Sequence, residues 1–119
     1  MKELFKDYGI NLNDENEKKL GLFYDFLTEY NKKVNLTSIT EEKEVWIKHF
    51  LDSVIGEKFF KKNSSVIEIG SGGGFPSIPL KIIRSDLSFT LCDSTGKKCE
   101  YLKEAVKYLG LENVEVVCE

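Results

Sequence analysis

The chain has 119 residues, 41% of them hydrophobic and 31% charged, with a formal net charge of −3, which suits one globular domain with a modest core and argues against a stand-alone nucleic-acid binder. No apolar run approaches the ~20 residues needed to cross a bilayer, and the start, Met1-Lys2-Glu3-Leu4-Phe5-Lys6-Asp7, mixes acids with bases and lacks the apolar centre of a secretory leader, so a cytoplasmic protein is expected. The three cysteines, Cys92, Cys99 and Cys118, form no C-x-x-C pair and imply neither a disulfide frame nor a zinc site, and His49, the lone histidine, has no second ligand near it in sequence.

Leu4 to Ile10 reads as a short helix stopped by Gly9. Asn13 offers an N-cap for a longer helix whose apolar face carries Leu20, Phe23, Tyr24, Leu27 and Tyr30 at helical spacing. These aromatics read as core. Asn31-Lys32-Lys33-Val34-Asn35-Leu36-Thr37 is a connection, rich in residues that favour turns. Thr40 is the expected cap of a third helix, with Glu41, Glu42 and Glu44 suited to the positive end of its dipole, and with Ile47, Phe50, Leu51, Val54 and Ile55 as its buried stripe. Asp52 and Ser53 lie on the same helix, either facing a cleft or on its solvated edge. Lys61-Lys62-Asn63-Ser64 breaks the chain before the first strand.

Val66, Ile67 and Ile69 form a β-branched run that reads as a buried strand. Gly70, Gly72, Gly73 and Gly74 follow at once, and Pro76 stands where a helix can begin. Strand, glycine turn and helix start together bring backbone N–H groups to a ligand, because glycine removes the Cβ that would bar the approach and tolerates positive φ. The acid Glu68 precedes the turn, giving E-x-G-x-G-x-G over Glu68, Gly70, Gly72 and Gly74. A dinucleotide fingerprint, G-x-G-x-x-G, fails in both registers: Phe75 or Ser77 stands where the last glycine should be. A carboxylate in the loop disfavours a pyrophosphate and favours a ligand with a cationic amino acid part, such as S-adenosylmethionine.

Pro76 to Arg84 reads as a short helix that tolerates Pro79 in its first turn. Ser88 to Cys92 is the second strand, closed by Asp93. A turn at Ser94-Thr95-Gly96 leads to a helix from Lys97 to Leu109, with Ala105, Val106 and Leu109 inward and Gly110 as its stop. Val114 to Cys118 is the third strand. Cys92 and Cys118 then read as small core residues in strands. The order is three helices followed by βαβαβ, an α/β architecture with parallel strands and right-handed crossovers. It divides at residue 62 into a helical region, 1–62, and an α/β region, 63–119. Ligands of such sheets bind beyond the carboxyl ends of the strands, where both the glycine turn and Asp93 fall. A carboxylate there can accept both hydroxyls of a ribose.

Four blocks of the chain are similar to one family. Tyr30-Asn31-Lys32-Lys33-Val34-Asn35-Leu36-Thr37-Ser38-Ile39 resembles W-N-K-x-x-N-L-T-x-I/V, with Tyr30 for the tryptophan. His49-Phe50-Leu51-Asp52-Ser53 resembles H-x-L-D-S. Glu68 through Leu80 resembles D-x-G-T/S-G-x-G-L/F-P-G-I-P-L, with Glu68 for the aspartate and Ser77 for the last glycine. Leu91 through Lys98 resembles L-x-D-S-x-x-K-K/R. In order and at compatible distances, they resemble the bacterial small-subunit ribosomal RNA methyltransferase G family, also called the glucose-inhibited division protein B family.

The resemblance implies a Rossmann-like, S-adenosylmethionine-dependent methyltransferase fold, of which this chain would be the amino-terminal helices and the first βαβαβ half. It implies methylation of a guanosine N7 in 16S ribosomal RNA, with that RNA or the small ribosomal subunit as partner and no membrane. By position it carries cofactor contact onto Gly70, Gly72, Gly74, Phe75 and Asp93, with Glu68 supporting the loop. Asn35, Asp52 and the pairs Lys32, Lys33 and Lys97, Lys98 become candidates for the RNA side. Guanine N7 is already nucleophilic, so alignment with the methyl carbon, rather than a general base, is the main demand. A seven-stranded relative would continue past Glu119. The first strand is therefore expected to show an open edge that invites self-association, and catalysis by these residues alone to be weak or absent. The rival readings are a non-catalytic binding or assembly fragment and a nucleotide-dependent dehydrogenase, the latter disfavoured by Glu68 and the failed fingerprint.

Overall fold

The computed structural model describes all residues, 1–119. The first helix, α1 (Lys2–Asp7), ends earlier than its sequence pattern suggests. Gly9 takes φ +81°, its N–H bonds to Lys6 O at 2.9 Å, and the N–H of Ile10 reaches back to Phe5 O at 2.9 Å. This paired closure lets Ile10 fold back onto Phe5, so both are buried although only Phe5 is helical. The second helix, α2 (Asp14–Asn31), starts as expected: the Asn13 side chain accepts from the Asn16 N–H at 2.7 Å. Leu20, Phe23 and Leu27 are buried, while Tyr24 and Tyr30 sit half-buried at its margin.

The third helix, α3, is one continuous run made of Glu42–Glu44, Val45–Leu51 and Asp52–Val54, and its middle seven residues are π-helical. Two expectations change here. The cap is Glu41, whose carboxylate accepts from the N–H groups of Lys43 and Glu44 at 3.3 and 3.2 Å, while Thr40 spends its carbonyl on the Tyr24 hydroxyl. The buried stripe is Val45, Trp46, Phe50, Leu51 and Val54, whereas Ile47 is half-buried and Ile55 is 49% exposed. A π-helix closes i to i+5, so residues five apart stack on one face. The pairs Val45–Phe50 and Trp46–Leu51 follow that spacing, and a count at 3.6 per turn misplaces the stripe.

Strands β1 (Ser65–Ile69), β2 (Ser88–Asp93) and β3 (Val114–Cys118) form a parallel sheet in the order β1-β2-β3, with Ile69 opposite Cys92 and Asp93 opposite Cys118. The crossovers are α4 (Ser77–Ile83) and α5 (Gly96–Tyr108). On the covered face Phe89 and Leu91 are buried, with Val66, Val114 and Val116 packed against the same core. That core of 21 buried residues runs without a break from Phe5 to Leu109, so α1 to α3 and the sheet share one interior.

The other face is bare. Ile67 is 69% exposed and Ile69 is 79% exposed, against the expectation of a buried first strand. β1 is an edge strand, and no helix lies over this side. Cys92 is only half-buried for the same reason, whereas Cys118, opposite Asp93 on the covered face, is exposed at the carboxyl end of β3; the buried thiol is Cys99, on α5. Its Sγ lies 3.1 Å from the Asp93 carbonyl, and burial, reinforced by neighbouring Cys118, pushes the Cys99 thiol up to about 11, which keeps it protonated at neutral pH.

Candidate functional site at the carboxyl ends of the strands

The chain leaves β1 through a bend that puts Gly70, Gly72 and Gly74 at φ +72°, +51° and +89°. The N–H groups of Gly70 and Ser71 both bond to Cys92 O, at 2.8 and 3.0 Å, which ties the bend to the end of β2. The glycines then divide by what surrounds them. A Cβ on Gly70 would meet nothing within 4 Å, and one on Gly72 only the Gly70 carbonyl at 3.9 Å. A Cβ on Gly74 would fall 2.6 Å from Ile78 Cδ1 and one on Gly73 3.0 Å from the Phe75 ring. Gly70 and Gly72 therefore form the open side of the bend, and Gly73 and Gly74 are the side that packs against the fold.

Asp93, at the tip of β2, closes the arrangement. Its Oδ2 accepts from the Gly72 N–H at 2.9 Å and its Oδ1 from the Thr95 N–H at 2.9 Å. Burial raises this carboxyl, but the N–H groups of Thr95 and Gly72 and the charge of Lys98 outweigh it and hold the group below the ordinary carboxylate value. Asp93 is thus anionic at neutral pH. Its Oδ2 has accepted one bond and retains a lone pair, while the Thr95 hydroxyl also supports the carboxylate. A cleft of about 200 Å³ opens here, lined by Ile69, Gly70, Cys92, Asp93, Ser94 and Glu119.

Glu68 acts from beneath. Its Oε2 accepts from the Ser77 N–H at 3.0 Å, so a strand carboxylate supplies the helix cap that Pro76 cannot give to α4. Glu68 Oε1 and Ser77 Oγ are buried without partners. The bend is held from a third side by Tyr101, fully buried on α5, whose hydroxyl donates to Gly73 O at 2.8 Å.

Phe75 points into the helices rather than toward the cleft. The His49 ring stacks on it with centroids 4.2 Å apart and planes within 8°, and Phe23 and Phe50 flank it at 5.7 and 6.2 Å. Thr37 Oγ1 and His49 Nε2 share a hydrogen bond of 2.8 Å, and the same hydroxyl oxygen accepts from the Ile39 N–H at 3.1 Å. A hydroxyl oxygen carries two lone pairs, so this bond suits either tautomer of a neutral imidazole. Burial lowers the His49 pKa, against a smaller opposing pull from Asp52, and so favours the same neutral form. Asn31 anchors the connection upstream: its Oδ1 accepts from the N–H groups of Leu36 and Thr37 at 2.8 and 3.0 Å.

A groove of about 430 Å³ lies on the outer side of Phe75, with Lys48, His49 and Asp52 on one wall and Phe60, Pro76 and Leu80 on the other. Of the sequence candidates for the RNA side, exposed Asp52 lines this groove and Lys98 lies within electrostatic reach of Asp93. Lys97 and Asn35 are exposed. Lys32 pairs with Glu29 at 3.1 Å, and Lys33 lies 5.7 Å from the Tyr30 ring centroid, so both engage their own helix end. Sequence reasoning singled out neither His49 nor Tyr101 for a role at the bend. His49 and Thr37 both sit inside recognisable sequence blocks, a signal that could have paired them; nothing local marks Tyr101.

Comparison with known proteins follows the same residues. A family model described as GidB, rRNA small subunit methyltransferase G, matches residues 16–119. Proteins named ribosomal RNA small subunit methyltransferase G are 46% identical in Lactobacillus johnsonii, 44% in Alkaliphilus metalliredigens and 42% in Clostridium perfringens, each over 98% of this chain and 50% of the relative. The chain spans about half the length of the curated relatives it matches.

Proposed function

Because the chain belongs to the rRNA small subunit methyltransferase G family, we propose that it forms the glycine-bend half of an S-adenosylmethionine-dependent enzyme that methylates a guanosine N7 of 16S ribosomal RNA. The observation that carries this reading is the pairing of an open glycine bend with an ionised aspartate across one cleft. Family membership sets aside the dehydrogenase reading.

The residues fit the cofactor. Gly70 and Gly72 leave room for a ligand against the backbone, and Asp93 keeps acceptor capacity for ribose hydroxyls while its charge is fixed by the bend itself. The cofactor would supply an electrophilic methyl on a sulfonium. Glu68 and Tyr101 act as positioning residues: one holds the start of α4 and the other the Gly73 carbonyl, so the bend does not reorganise when occupied. Gly74 and Phe75 support the bend from the packed side. No general base is required for a guanine N7, and the protein contributes alignment and exclusion of water. Asp52, Asn35, Lys97 and Lys98 are proposed for the RNA side, with the base exposed from its helix before transfer. Lys32 and Lys33 are weaker candidates, being engaged locally. That substrate would place the protein in the cytoplasm.

Half-length coverage of the relatives favours a second reading for these residues by themselves: binding without turnover. The experiment is methyl transfer from labelled S-adenosylmethionine to unmethylated small ribosomal subunits, run beside cofactor binding. The account expects binding with transfer far below that of a full-length relative. Absence of both, with the cleft intact, would overturn it.

A further inference from the structure

The chain carries a net charge of −3, yet one segment of its surface is cationic. Between α3 and β1 the backbone makes a short 3-10 turn, Glu57–Phe59, and continues through Phe60, Lys61 and Lys62. Arg84 fastens this segment to the fold. Its Nη1 donates to Glu57 O at 2.7 Å and to Glu57 Oε2 at 3.2 Å. Its Nε and Nη2 donate to the two oxygens of Asp86 at 2.9 Å each, and Asp86 also accepts from the Asn63 N–H at 2.8 Å. Both acids bordering the segment are therefore occupied by one arginine. Lys58, Lys61 and Lys62 are exposed, and none of them forms an ion pair. The two rings of the segment divide. Phe60 packs against the core, while Phe59 is 92% exposed, more than any other large apolar side chain. A single exposed hydrophobe is ordinary on a protein surface. Phe59 is set apart by its mounting: a ring on a fastened turn, among three lysines without counter-charge. Lys58 Nζ would lie 3.6 Å from a Cβ on Gly9, which brings the end of α1, with its exposed Tyr8, to the same rim.

We infer that Phe59, with Lys58, Lys61 and Lys62, is a contact for an unpaired stretch of RNA, separate from the cofactor cleft. The ring offers its face to one base, and the ammonium groups meet the phosphates on either side of it. Aromatic stacking beside cationic side chains holds single strands without reading their sequence. The choice of RNA rests on the ribosomal RNA substrate proposed above. The choice of a single strand rests on the exposed ring, because a base inside a duplex has no free face to stack on. The segment leads into Ser65 at the amino end of β1, whereas the glycine bend follows Ile69 at its carboxyl end. A strand of that length separates them by on the order of 15 Å. The contact therefore grips RNA some nucleotides away from the guanosine at the cleft, and supplies affinity rather than chemistry.

The test is fluorescence anisotropy of the chain with a short labelled oligoadenylate over a range of salt concentrations, without S-adenosylmethionine. The expected result is saturable binding that Phe59→Ala weakens at least about fivefold, with affinity for an RNA duplex of the same length unchanged. Phe59→Trp is expected to keep the affinity, and its indole fluorescence to be quenched as the base stacks. The triple variant Lys58→Gln, Lys61→Gln, Lys62→Gln is expected to lower the slope of log affinity against log salt by about 2, at about 0.7 per phosphate released. All four side chains are exposed, so circular dichroism and the melting temperature should stay those of the parent. A parent that does not bind the oligonucleotide would overturn the inference. So would an unchanged affinity in Phe59→Ala, an equal loss on the duplex, or Phe59-dependent binding to phosphatidylserine vesicles in place of RNA. Methyl transfer to ribosomal subunits with these variants binding as the parent does would sink this contact and leave the substrate reading standing. The expected oligonucleotide dependence without any methyl transfer would do the reverse.

Discussion

The Asp93 carboxylate accepts the backbone N–H of Gly72 at 2.9 Å across 21 positions of sequence. One bond thereby joins the bend after β1 to the tip of β2 and makes them a single object. It also decides the charge of that object, since an acceptor of two N–H donors stays ionised despite partial burial.

Removing the acceptor should loosen that junction. Asp93→Ala is expected to lower stability by about 1–3 kcal/mol, from the loss of bonds to a charged acceptor. Urea unfolding would give the figure, and faster exchange of the Gly72 amide would localise it. The folded pKa of Asp93 lies below its usual 3.8, so its contribution is present above that value and disappears as pH falls below it. The variant should therefore show a shallower acid limb than the parent.

Gly70 and Gly74 share positive φ but should respond differently to alanine. Gly70→Ala meets open space and is expected to cost only the left-handed strain, about 1–2 kcal/mol, while impairing cofactor binding at least about tenfold by filling the bend. Gly74→Ala adds a Cβ 2.6 Å from fully buried Ile78 and is expected to cost distinctly more stability, about 2–4 kcal/mol in all. Thermal melts beside calorimetric titrations separate the two.

His49 should impose a second pH dependence. Its folded pKa lies below the usual 6.5, chiefly through burial, so the folded state prefers the neutral ring. Stability is complete above 6.5 and declines as pH falls through the lowered folded value, because the unfolded chain binds the proton more readily. His49→Phe keeps a ring against Phe75 without a titrating group and should flatten the melting temperature between pH 7 and 5. A proton NMR titration of the parent should give a midpoint under 6.5.

Tyr101→Phe removes only a hydroxyl, yet leaves the Gly73 carbonyl without its partner in a buried setting. A loss of about 1–2 kcal/mol is expected. Cofactor affinity should also fall while the helix content stays constant, since the affected atom belongs to the bend.

The parallel strands and the bend were legible in sequence because they rest on local signals: β-branched runs, a glycine cluster and Asp93 at a strand end. Asn13 likewise announced α2 by its own chemistry. The π-helical middle of α3 was not legible, since a five-residue spacing mimics a poor α pattern and moves burial from Ile47 and Ile55 to Val45 and Trp46. The exposure of Ile67 and Ile69 was hidden for another reason. Their apolar run reads as a strand with both faces covered, and in the fold no helix lies over one of those faces. The roles of Tyr101 and His49 depend on contacts across 28 and 26 positions, which no local window contains.

The most direct test of the central claim follows the backbone amides of Gly70, Gly72 and Asp93 by NMR during a titration with S-adenosylmethionine. The account predicts saturable shifts at these three amides, abolished in Asp93→Asn while the rest of the spectrum stays in place. Amides that do not move at saturating cofactor, or that move equally in the variant, would contradict it.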